Sequence, residues 1–113
     1  MQKISLNAVG RERLDEASEA SSQRSAVTVF GGSERALRQT VLALRAGARL
    51  DEHENPGEAT VYVLSGRVEL AAGEDRCDGS TGDLLIIPDS LHSLVALQDS
   101  VVLLSAVPRA HIR

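Results

Sequence analysis

Beyond residue 25 the chain alternates short branched-aliphatic runs with clusters of turn-forming residues. The runs are AVTVF (26–30), RQTVLALR (38–45), TVYVL (60–64), RVELAA (67–72), DLLIIP (83–88), HSLVAL (92–97) and VVLLSAV (101–107). β-Branched and aliphatic residues in such short blocks predict seven strands. Between them lie GGSE (31–34), RAGARLDEHENPGE (45–58), SG (65–66), AAGED (71–75), DGSTGD (78–83), PDS (88–90) and QDS (98–100), which read as turns and loops. None of these gaps can hold a crossover helix, so the strands must pair antiparallel. Runs such as LLII and VVLL predict strands covered on both faces, and the close spacing predicts a sandwich or barrel of the jelly-roll kind. Within TVYVL the two-residue period sets Val61 and Val63 on the interior face and Thr60 and Tyr62 on the other.

The N-terminal segment has a different texture. In SLNAVGRERLDEASEA (5–20) Leu6, Val9, Leu14, Ala17 and Ala20 fall at roughly helical spacing, with Ser5 or Asn7 available as N-cap. Gly10 weakens such a helix by about 1 kcal/mol relative to Ala, so the helix must depend on packing against the rest of the domain or a second subunit. Residues 1–25 are therefore read as a helical appendage and 26–113 as the barrel. The whole is an all-β, antiparallel jelly-roll chain with a short N-terminal helix.

Composition narrows the function classes. The 113 residues make one domain's worth, and a chain of that size buries roughly 65% of its unfolded surface. Aromatics at 2% leave the core to Val, Leu, Ile and Ala. Twelve basic against sixteen acidic residues give a net charge of −4 with no basic patch interleaved with aromatics, which excludes a nucleic-acid partner. No signal-like apolar stretch and no run of about 18 apolar residues occurs, so the expectation is a soluble cytoplasmic protein with no membrane partner. Cys77 is the single cysteine, which rules out an internal disulfide and a thiolate zinc cage.

Three histidines remain as candidate chemistry. His111, in the terminal RAHIR, reads as a surface residue. His53 and His92 each stand at a strand junction, where the ends of barrel strands can meet at one mouth. The stretch from Gly47 to Leu97 resembles the cupin family of small β-barrels. The family's first motif is a glycine, five residues, His-x-His, three or four residues, glutamate, six residues and glycine. Gly47, His53 and Gly66 fall on its positions, while Asn55 stands for the second histidine and Ala59 for the glutamate. Its second motif is a glycine, five residues, proline, x, glycine, two residues and histidine. Gly82, Pro88 and His92 follow it, with Ser90 for the glycine, the histidine one residue early and Ala96 near the usual asparagine.

The resemblance implies a pocket inside the barrel, with His53, Asn55, Ala59, Val61, Val63 and His92 as candidate lining. Cupins hold a divalent metal with three histidines and a glutamate, ligands that suit iron, manganese, nickel, copper or zinc. Carried over residue by residue, only His53 and His92 survive as metal ligands. Glu58 is disfavoured, because strand parity turns it to the face opposite Ala59; only a bulge around Pro56 and Gly57 would bring it back. Two imidazoles, with the Asn55 amide as an optional neutral ligand, imply a loosely held ion. Three readings stay open: a small-molecule pocket with or without such a metal, a metal-dependent dioxygenase- or isomerase-like enzyme, and a non-catalytic structural or regulatory dimer. The resemblance also implies a homodimer.

Overall fold

The computed structural model describes residues 1–55 and 57–112, where one helix is followed by nine strands. They are α1 (Leu6–Glu19), β1 (Arg24–Phe30), β2 (Arg38–Leu44), β3 (Arg49–His53), β4 (Gly57–Ser65), β5 (Arg67–Ala72), β6 (Asp75–Ser80), β7 (Leu84–Ile86), β8 (His92–Ala96) and β9 (Ser100–Pro108). A single 3-10 turn, Arg109–His111, follows. The pairings are antiparallel and build two facing sheets, β1-β2-β9-β4-β7 and β3-β8-β5-β6, in a jelly-roll arrangement. No helix among the described residues is long and apolar enough to cross a membrane.

The main core lies between the sheets. Leu42, Leu44, Val61, Val63 and Val102 from the five-stranded sheet meet Val68, Leu70, Leu94 and Ala96 from the four-stranded one. Val61 and Val63 are buried and Tyr62 is exposed, as the period of β4 predicts. The other face of the five-stranded sheet carries a second cluster, in which Val41, Ala43 and Val101 pack against Ala17, with Leu6, Val9 and Leu14 from the same helix at its margin. Strands β2 and β9 are thus covered on both faces where they cross under α1, which is why VLAL and VVLL show no alternation.

Of the two caps that the sequence offers, Ser5 or Asn7, helix α1 uses Ser5, whose Oγ accepts from the Ala8 N–H at 3.2 Å. Gly10 is buried against β9, and a Cβ there would lie 2.9 Å from Cγ1 of Val101. The glycine gives up helix propensity to let the helix axis approach the sheet.

Two strands escaped the reading of hydrophobic runs. β3 lies inside the segment taken as a loop from 45 to 58, and β6 spans parts of the turns taken at 71–75 and 78–83. They are the two edges of the four-stranded sheet, and the residues they bring toward the core are few: in β6 only Gly79 is buried, and in β3 only Leu50 packs against the core. Backbone pairing on one side holds them, and charged side chains face solvent, as suits an edge. The LLII run also departs from expectation. β7 is an edge strand covered on one face only, with Leu85 buried while Leu84 and Ile86 are exposed.

Candidate functional site

The inward positions of the sandwich form three layers along its length. At one end Val63 faces Val102 across β4 and β9, and Val68 faces Ala96 across β5 and β8. In the middle Val61 is opposite Leu104, and Leu94 is opposite both Leu50 and Leu70. At the other end Ala59 is opposite Ala106, and His53 is opposite His92. Two methyl groups there replace the branched side chains of the layers below, and the space they leave is a cavity of about 300 Å³. Its walls include Leu50, Val61, Leu70, Ile87, Leu94 and Leu104, with the two imidazoles, Glu54 and the Ala59–Ala106 pair toward the mouth.

Each imidazole is fixed by the backbone two residues before it. His53 Nδ1 lies 2.9 Å from the carbonyl oxygen of Asp51, and His92 Nδ1 lies 2.9 Å from that of Ser90. A carbonyl only accepts, so each Nδ1 carries the proton and donates; in the neutral ring Nε2 is then an acceptor. Neither Nε2 has a protein partner among the described residues. The ring centroids are 4.3 Å apart and the planes are inclined by 59°. His92 is only 5% exposed, so its free nitrogen is reached through the cavity, whereas His53 stands at the exposed rim.

The remaining candidate positions divide. Ala59 and Val61 line the cavity beside the histidines. Val63 does not: it sits one layer deeper and is fully buried in the core. Asn55 is also withdrawn. Its Nδ2 donates to the carbonyls of Ile87 and Pro88 at 3.3 and 3.4 Å, and its Oδ1 accepts from the Gly57 N–H at 2.9 Å. The amide is buried, its hydrogen bonds hold two chain segments together, and it does not border the cavity that the imidazoles line. Glu58 pairs in regular register opposite Val107 and is exposed, lining a depression on the outer face with Leu37 and Val107. No shift of register occurs at Gly57 or Glu58; Pro56 lies outside the described residues. His111 is exposed in the closing 3-10 turn.

Among the lining residues that sequence reasoning missed are Leu50, Glu54, Thr60, Leu104, Ser105 and Ala106. The period of VVLLSAV puts Val102, Leu104 and Ala106 on one face, but that β9 lies beside β4 is a fact of topology which no local pattern carries.

The donor set decides how well a metal would fit. Of the four positions that carry ligands in the family motif, His53 and His92 present nitrogen, Ala59 presents a methyl group and Asn55 is engaged with backbone. Among the described residues no three His, Cys, Asp or Glu side chains converge on one point. Two imidazoles alone do not fit a centre built for three histidines and a carboxylate, and water would have to complete the shell.

A family model described as the cupin domain, Cupin_2, matches residues 40–106, more than half of the chain. The chain is a cupin. Solved structures agree with the fold. A conserved protein of unknown function from Streptococcus pyogenes is similar at 27% identity and a TM-score of 0.69, covering 79% of this chain and 77% of that one. KdgF from a Halomonas species is 25% identical with a TM-score of 0.65, over 76% of this chain and 81% of its own. A cupin superfamily protein from Desulfitobacterium hafniense, 14% identical with a TM-score of 0.69 over 75% and 77% of the two chains, speaks for the fold alone. No curated protein matches the chain. As a cupin, the protein keeps three of the motif glycines, Gly47, Gly66 and Gly82, at turns of the packed end, beside Val63 and Ala96, and all three have positive φ. At Gly66 a Cβ would also collide with the Asp99 carbonyl and Ser100, so no other residue fits that turn.

Proposed function

We propose that this cupin binds a small molecule in the open end of its barrel and holds a divalent ion there only loosely. The observation that carries the reading is the three-layer gradation of the barrel. Paired alanines open a mostly aliphatic cavity, and the principal polar groups they expose are two imidazole nitrogens without partners. Small-molecule sites have this composition: apolar walls and a few placed polar atoms, here at the small end of the usual volume range. His53 and His92 are the polar anchors, and Ala59, Ala106 and Val61 shape the space.

One observation favours a second reading, a metal-dependent enzyme. Each imidazole donates its Nδ1 proton to a backbone carbonyl, the arrangement that fixes metal-binding histidines elsewhere. A bound ion would polarise a substrate or activate a water or dioxygen. His53 and His92 would hold it, with water in the remaining positions.

Protein purified without a His-tag, incubated with iron, manganese, nickel, copper or zinc and then gel-filtered, separates the two. Substoichiometric metal, together with thermal stabilisation by at least one compound of a metabolite panel, is expected. Loss of that stabilisation in Ala59→Leu, which fills the cavity, places the compound there. Retention of one ion per chain, abolished by His53→Ala or His92→Ala, would overturn this order and put the enzyme first.

A further inference from the structure

The mismatch between the family's metal centre and this donor set says what the pocket prefers. Both Nδ1 protons are committed to carbonyls, so the cavity presents two acceptors 'Nε2' from rings whose centroids are 4.3 Å apart. Among the described residues no Lys or Arg lines the cavity, and the one charged side chain at its mouth is the anionic Glu54. With both rings neutral, a carboxylate or phosphate entering it would lose water, meet apolar walls and two acceptors, and find no Lys or Arg to compensate; Thr60 and Ser105 also border the cavity, but they share the strand parity of Glu58 and Val107 and line the outer depression with them. A head group carrying two donor hydrogens satisfies both nitrogens at once, and the largely buried His92 gains most, because its Nε2 faces the cavity without a partner.

We infer that the ligand is uncharged, has an apolar body that fits about 300 Å³, and presents two hydrogen-bond donors, as in a primary amide or a vicinal diol, to His53 and His92. The inference rests on the small-molecule reading of the site and adds the head-group chemistry to it. Specificity then comes from unpaired acceptors rejecting analogues that lack the donors, a stronger filter than the apolar walls provide.

Three nearly isosteric probes test it: benzamide, benzoate and acetophenone, titrated into the full chain with a chelator present and followed by amide chemical shifts. Benzamide carries two donors, acetophenone none, and benzoate a charge. Benzamide is expected to bind about tenfold or more tighter than either of the others, the effect of one to two net hydrogen bonds. In His92→Leu, and separately in His53→Leu, that preference is expected to shrink toward parity with acetophenone. If either variant fails to fold, the order of the three probes on the wild-type chain still decides. Benzoate or acetophenone binding as tightly as benzamide overturns the head-group assignment and leaves the pocket standing. If no probe moves a cavity resonance, the small-molecule reading falls, and the inference falls with it.

Discussion

The two ends of the barrel are built on the same strands and do opposite things. Along β4 the inward residues run Ala59, Val61, Val63, and along β9 they run Ala106, Leu104, Val102, paired in that order. Nothing in the backbone pairing marks the change from cavity to core; the register is regular from Ala59 to Val63. The difference is side-chain volume alone. Two branched pairs close one end, while two methyl groups and two imidazoles open the other. A jelly roll therefore holds its fold in one end and its site in the other, and residues can change at the site without disturbing what keeps the sheets together.

Substitutions that remove volume at the packed end should show the largest effect. Leu44 is fully buried at the end of β2 away from the histidines, and Leu44→Ala leaves a void among branched neighbours that have little freedom to collapse. A loss of about 2–5 kcal/mol is expected, read as a fall in the urea midpoint with an unchanged m-value. A loss below about 1 kcal/mol would mean that the two ends are equally loose and that the comparison has no energetic content.

Asn55 marks the boundary between the two ends' roles, and the next effect in size falls there. Asn55→Ala strands the Gly57 N–H and the carbonyls of Ile87 and Pro88, which the amide now engages. About 1–3 kcal/mol of stability should be lost, the cost of leaving buried backbone groups unpaired. Metal uptake, by contrast, should not change, since this amide does not border the cavity that the imidazoles line. A variant of full stability with reduced metal retention would return Asn55 to the candidate ligands.

What the sequence made legible follows the same division. The alternation in TVYVL placed Val61 and Val63 inside and Tyr62 outside, and the start of α1 was legible to within the two candidate caps Ser5 and Asn7, because burial and capping act on neighbours in the chain. The edge strands β3 and β6 were silent because an edge is held by backbone pairing and buries almost nothing, so no hydrophobic period is imposed on it. The LLII run misled in the reverse direction: it has the texture of a doubly covered strand, yet the neighbouring helix covers β2 and β9 and stops short of β7. At the site, the family spacing located His53, Ala59 and His92, all of which line the cavity, but it could not say that Asn55 had turned to the backbone. That depends on where the chain from Ile87 to Pro88 passes, a contact across more than thirty residues. Ala106 was invisible for a related reason, since its importance comes entirely from standing opposite Ala59.

The smallest expected effect on stability is also the sharpest test of the comparison. Ala106→Leu adds volume at the open end, on the position directly opposite Ala59. In a packed interior such an addition forces neighbours off their rotamers at a cost of typically 1–3 kcal/mol. Here the added methyl groups enter a cavity of about 300 Å³ whose walls are Leu50, Leu94, Leu104 and Ile87. The gain in buried apolar surface offsets the lost side-chain freedom, so the urea midpoint should stay within the equivalent of about 1 kcal/mol of the parent. Binding of any ligand in the cavity should nevertheless be lost, because the leucine occupies its place. Leu44→Ala and Ala106→Leu then form an opposed pair: removal at one end destabilises without touching the site, and addition at the other abolishes the site without destabilising. If Ala106→Leu instead destabilised the chain as strongly as Leu44→Ala, the open end would be packed as tightly as the closed one, and the paired alanines would be part of the core, not the frame of a pocket.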